Sequence, residues 1–138
     1  MVPPDVPIDL RRILNDYNLK AYTVSFKRPD VAGAFDRANN NIYVNQFDHP
    51  TRQCFTVAHE LGHYFLHRNV NSDILYREKS NSDSDIEKEA NEFAAELLMP
   101  ESAIRAYWPI ADSIQNLANI FGVSYLAMKT RLQYLGFI

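Results

Sequence analysis

Apolar residues alternate near the start of the chain and recur at helical spacing after Pro50, so a short sheet followed by a run of helices is expected. Ala21-Tyr22-Thr23-Val24-Ser25-Phe26-Lys27 alternates, is rich in β-branched and aromatic residues, and reads as a strand that stops before Pro29-Asp30. Val31 to Phe35 and Asn41 to Asn45 read as two more strands, joined by the turn-prone Asp36-Arg37-Ala38-Asn39-Asn40. A three-stranded antiparallel meander follows. Ahead of it, Asp5 can cap a helix with Pro7 in its first turn and Ile8, Ile13, Leu14 and Tyr17 on one side, ending near Asn18.

Beyond the strands, Asp48 or His49 can cap a helix that has Pro50 in its first turn and runs to about His67. The stretch from Asn69 to Asp85 is rich in Asn, Ser and Asp and reads as a solvated loop. Ile86 to Met99, closed by Pro100, predicts a strong helix with Ile86, Ala90, Phe93, Ala94, Leu97 and Leu98 on its buried face. Its small residues, Ala90 and Ala94, would allow close approach to the preceding helix. Short helices are expected over Glu101 to Tyr107, over Ser113 to Phe121 behind an Asp112 cap, and from a Ser124 cap to Tyr134. Gly122 and Gly136 end the last two.

The candidate chemistry sits in the second of these helices, as Ala58-His59-Glu60-Leu61-Gly62-His63. Residues four apart share a helix face, so His59 and His63 can aim both imidazoles at one ion, about 2.0–2.1 Å from each nitrogen. Glu60 follows the first ligand and flanks the metal, where it can take a proton from water. With four His in 138 residues, shuffling produces this motif in about 0.006 of chains, so chance is a poor explanation. A catalytic zinc site needs a third protein ligand, and the glutamate-rich helix after the loop is its natural source. Glu87 is preferred, because Asn91 one turn later could orient a zinc-bound histidine. Glu89 stays open as the alternative ligand, since Glu87 also stands three after Ser84, as a capping-box partner would. Glu92 and Glu96 are assigned to the solvated face.

His67, four residues after His63, would lie one turn too far to join the same ion and reads as a polar residue in the last helical turn. The lone cysteine, Cys54, reads as a small buried apolar residue and excludes an internal disulfide. Tyr64, Tyr76 and Tyr107 are conceivable oxyanion donors. Zinc suits the ligand types, and manganese or iron can occupy such a site.

Composition narrows the partners. A 46% hydrophobic, 22% charged chain of 138 residues suits one globular domain over 1–138, with 113–138 as a helix-turn-helix-like closing hairpin. The net charge of -3 offers no global attraction to nucleic acid, and the last 26 residues carry only Lys129 and Arg131 as charges. Direct nucleic-acid binding is therefore not expected. No stretch has the length of a membrane span, and Met1-Val2-Pro3-Pro4-Asp5 lacks the regions of a signal peptide, so a cytoplasmic protein is expected.

Taken together, Ala58 to His63, Glu87 to Pro100, Leu117-Ala118 through Phe121-Gly122-Val123-Ser124, and Arg131-Leu132 to Leu135-Gly136 resemble the ImmA/IrrE family from about Asn41 onward. The resemblance implies an α+β, zincin-like metallopeptidase whose antiparallel sheet packs on the His-Glu-x-x-His helix and a second, glutamate-bearing helix. It implies His59 and His63 as metal ligands, Glu60 as the catalytic glutamate and Glu87 as the acidic ligand. It also implies a protein substrate, a helix-turn-helix repressor of mobile-element or stress-response genes. A partner-binding regulator that releases a repressor by contact is the competing reading, and a DNA-binding regulator a weaker one. One strand edge beside the metal helix could align a peptide as an added strand.

Overall fold

The computed structural model describes residues 5–68, the backbone of 74–78, and residues 84–138. The fold is α+β. Helix α1 (Leu10–Asp16) precedes strands β1 (Lys20–Val24), β2 (Val31–Asp36) and β3 (Asn41–Asn45), and α2 (Pro50–Leu66) follows them. Then come β4 (Ile74–Glu78), α3 (Asp85–Leu98), α4 (Glu101–Tyr107), a 3-10 turn over Trp108–Ile110, α5 (Ile114–Phe121) and α6 (Tyr125–Leu135).

The strands run in the order β1-β3-β2-β4, which corrects the expected meander. β2 pairs antiparallel with β3 and with β4, whereas β1 lies parallel to β3. The cause is β4, which arises inside the stretch read as a solvated loop and takes the edge of β2 that a meander would give to β1. β1 is left the outer edge of β3. The rest of that stretch, 69–73 and 79–83, lies outside the described residues. Every residue of β2 is buried, as suits a strand with partners on both sides, while β1 is mostly exposed. The β2–β3 turn forms where expected: Asp36 accepts hydrogen bonds from the backbone and side-chain nitrogens of Asn39, at 3.3 and 2.8 Å.

Helix α2 forms a wall common to two cores. Val57 and Leu61 join Leu14, Leu19, Phe35, Ile42 and Val44 against the sheet. Ala58 faces the other way, into a helical cluster that includes Leu98, Ile104, Phe121 and Leu132. Asn45 fixes the helix to the sheet end, because its backbone oxygen accepts from Gln53 at 3.0 Å while its amide donates to the Val31 carbonyl at 2.9 Å. The strand lies close on the helix. A Cβ on Gly33 would overlap the Thr56 methyl group, so only glycine fits there.

Three caps differ from expectation or decide between alternatives. Asp9, not Asp5, caps α1 by accepting from the Arg12 N–H at 3.3 Å, so the helix starts beyond Pro7. Ser113, one residue after Asp112, caps α5. At α2 the choice between Asp48 and His49 falls to His49, whose Nδ1 accepts from the Thr51 N–H. Gly122 and Gly136 sit at φ of 70° and 83°, the left-handed caps expected of them. Cys54 is exposed rather than buried; it lies outside the inward-facing run of α2 and lines a shallow cleft with Leu10, Ala21 and Val57.

Candidate metal centre

From Thr56 to His63 all residues of α2 are buried, an unusual state for eight consecutive helical positions. The sheet covers one side, the helical cluster another and α3 a third. α3 reaches α2 at backbone distance, since a Cβ on Gly62 would stand 3.1 Å from Ala90 Cα and 3.2 Å from the Ala90 carbonyl oxygen. This contact sets the first turn of α3 over the two histidines.

Ser84 caps α3 by accepting from the Glu87 backbone N–H at 3.3 Å, which leaves the Glu87 carboxylate free for other partners. One oxygen stands 2.8 Å from His59 Nε2 and the other 2.8 Å from His63 Nε2. The two Nε2 atoms are 3.2 Å apart. Asn91, one turn further along α3, accepts from His59 Nδ1 at 2.8 Å. Glu87 and Asn91 therefore stand where the one-turn spacing placed them. Glu89 stays away from both Nε2 atoms: it is largely exposed, 3.8 Å from His67. Glu92 and Glu96 are exposed, as expected.

The donor set fits a divalent cation. Nitrogens 2.0–2.1 Å from a tetrahedral ion stand about 3.3 Å from each other, close to the spacing here. The Asn91 amide oxygen can only accept, so the ring proton of neutral His59 sits on Nδ1 and its Nε2 presents a lone pair. Two buried imidazole nitrogens and a mostly buried carboxylate thus converge, where a cation would satisfy them together. Without an ion, protons on the imidazoles serve instead. Burial alone would raise the Glu87 carboxyl, but hydrogen bonds from His59 and His63, and their charge, outweigh it and hold the group well below the usual carboxylate range.

Glu60 is fully buried, and one of its oxygens falls within 4.8 Å of the ligand atoms of His59 and His63. Its carboxylate borders β2, 3.7 Å from where a Gly33 Cβ would stand. Among the tyrosines considered as donors, Tyr64 packs edge-on to Phe35 and Phe65, and Tyr107 packs on Phe121. The Tyr76 side chain lies outside the described residues.

His67 closes α2, the last-turn place the sequence gives it. It is buried, and its Nδ1 lies 2.9 Å from His63 Nδ1. The spacing of four, plain in the sequence, brings its ring against that of His63. Burial first, and then the charge of His63, push its imidazole below the ordinary value.

A groove of about 900 Å³ opens next to the centre, between the start of α2, α3 and the α5–α6 pair. Phe55, Met99, Leu126 and Tyr134 give it an apolar lining, and Asn91 belongs both to the groove and to the histidine cluster. Leu126 and Ile138, both in the closing hairpin, are 69% and 51% exposed. Arg131, one of the two cations in the closing hairpin, is buried and donates to the Met99 carbonyl at 3.1 Å. That contact removes it from any DNA-reading face.

Residues 15–133 match the IrrE N-terminal-like domain. The chain belongs to that family. Its ImmA/IrrE resemblance is thereby borne out, and with it membership of a metallopeptidase family. The chain is 27% identical over 103 residues to the metallopeptidase ImmA of Bacillus subtilis, covering 73% of this chain and 61% of that protein. It is 43% identical over 100 residues to the radiation response metalloprotease IrrE of Deinococcus radiodurans, covering 67% of this chain and 30% of that one. The chain thus spans less than two thirds of the length of either family member. A solved Mycobacterium tuberculosis transcriptional regulator shares the fold, with a TM-score of 0.64 at 15% identity over 89% of this chain and 39% of that chain. No helix among the described residues is long and apolar enough to cross a membrane.

Proposed function

We propose that the chain is a single zincin-like domain acting as a zinc-dependent endopeptidase, with His59, His63 and Glu87 as metal ligands and Glu60 as general base. The observation that carries this reading is the single Glu87 carboxylate bridging both Nε2 atoms at 2.8 Å, directly beside a buried glutamate. A zinc ion held there would supply Lewis acidity, polarising a peptide carbonyl and lowering the pKa of bound water toward about 7. Glu60 takes a proton from the attacking water and passes it to the departing amine as the C–N bond breaks and the C–O bond forms. Asn91 holds the His59 ring so that its Nε2 faces inward. Glu87 neutralises part of the added charge. β4, which pairs only with β2 among the described residues, offers its outer edge for an extended peptide to join as a further strand.

The substrate we infer is a helix-turn-helix repressor of mobile-element or stress-response genes, met in the cytoplasm. Membership of this family, together with the similarity to the metallopeptidase ImmA, supports a protein substrate. The test is to mix the zinc-loaded protein with the repressor encoded nearest to it and follow both by intact mass spectrometry. A pair of fragments summing to the repressor plus one water is expected, and none after chelation.

The apolar groove favours a second reading, in which the domain releases a repressor by contact alone. An intact repressor, captured and freed from DNA without cleavage, would support it.

A further inference from the structure

The two histidines facing Glu87 are each held from behind, but by different groups. His59 Nδ1 meets the Asn91 amide oxygen, and His63 Nδ1 meets the imidazole of His67. An amide oxygen accepts and cannot donate, so it draws the ring proton of His59 to Nδ1. An imidazole can do either, and the direction of the His63–His67 bond decides what His63 offers the ion. If His63 donates from Nδ1, its Nε2 is a lone pair directed at the Glu87 side. If His67 donates, His63 carries its proton on Nε2 and blocks the site.

The surroundings of His67 favour the first direction. An imidazole that accepts at Nδ1 carries its own proton on Nε2, and His67 Nε2 lies 3.8 Å from the Glu89 carboxylate, beyond hydrogen-bond reach but near enough for its negative charge to favour a proton there. The reverse arrangement would turn a bare nitrogen toward the Glu89 carboxylate, whereas a bare His63 Nε2 on the Glu87 side faces the ion that the metallopeptidase reading places between them. The ring is also fixed in place. His67 closes α2, its backbone N–H donates to the His63 carbonyl at 3.0 Å, and its own carbonyl accepts from Arg37 at 2.6 Å. Arg37 comes from the turn after β2, so sheet and helix together hold a residue that would otherwise fray with the helix end.

We propose, on the metallopeptidase reading of this site, that His67 is a positioning residue of the metal centre. Its Nδ1 accepts the Nδ1 proton of His63 and so presents His63 Nε2 to the ion, a direction that the charge of Glu89 favours. This gives Glu89, the alternative ligand suggested by the sequence, a place one step further from the metal.

The test compares the wild type with His67→Asn, whose amide oxygen can stand near the lost Nδ1, and His67→Phe, which keeps ring shape without an acceptor. Zinc affinity is measured by competition with a chromophoric chelator, and folding by circular dichroism of the metal-free proteins. Loss of a supporting partner weakens metal binding by about 10–100-fold, so a loss of that size is expected for His67→Phe and most of the affinity is restored in His67→Asn. Equal affinity in folded wild type and His67→Phe would overturn the proposal, as would equal losses in both variants. A wild type that binds no zinc would instead sink the metal-centre reading itself. Should a variant fail to fold, long-range proton–nitrogen NMR of the zinc-loaded wild type decides: a protonated Nδ1 on His63 and Nε2 on His67 is expected, and the opposite pair of tautomers overturns the assignment.

Discussion

Gly62 and Ala90 meet backbone to backbone, and this contact brings a carboxylate of one helix to the histidines of another. A side chain on Gly62 would meet Ala90 Cα, the Ala90 carbonyl oxygen and Phe93 Cβ at 3.1–3.2 Å, atoms that cannot swing aside. Gly62→Ala gains up to about 1 kcal/mol of helix propensity, while overpacking of this kind costs about 1–3 kcal/mol. A net loss near 1 kcal/mol is expected in urea unfolding of the metal-free protein, about the difference between those two effects. Weaker zinc binding should accompany it, as Glu87 is pushed from His59 and His63.

Much of this arrangement is legible in the chain. The spacing of His59 and His63, the small residues Ala90 and Ala94, and the pairing of Glu87 with Asn91 all follow from helical periodicity, a local property that sequence records directly. The sheet order does not. β4 lies in a polar stretch without the alternation that marks a strand, and β1 is displaced to the far side of β3 by long-range pairing that its own residues do not encode. His67 stands at a legible spacing, yet its role depends on Arg37 and Glu89 from two other elements. Cys54 turns outward, against expectation, because one residue of helical rotation separates an inward from an outward position.

The two candidate carboxylates should part in a metal titration. Glu87→Gln removes the group that faces both Nε2 atoms and should weaken zinc binding by at least about tenfold. Glu89→Gln, which alters only the far end of the His67 relay, should cost less. Isothermal titration of both variants gives the comparison.

In the metal-free protein Glu87 should leave a signature in acid. Its folded-state carboxyl lies below the unfolded value of about 4.3, so its contribution to stability is complete above that pH and is lost as the pH falls through the folded value. The stability gap between wild type and Glu87→Gln should therefore shrink between about pH 5.5 and pH 3. Urea midpoints across that range measure it, and a gap that widens in acid would have the wrong sign.

Arg131 should behave as a structural residue. Arg131→Gln leaves the buried Met99 carbonyl without its donor, a loss of about 1–3 kcal/mol in unfolding free energy. Any retention of the protein by DNA should be the same before and after the change.

The most direct test of the central claim is Glu60→Gln, assayed at saturating zinc with the repressor as substrate and with zinc affinity measured in parallel. The expected result is wild-type zinc affinity with cleavage reduced by at least about a hundredfold, because the substitution removes the proton acceptor and keeps the ligands. Undiminished cleavage by the zinc-loaded variant would contradict the assignment of Glu60, and with it the peptidase mechanism built on this site.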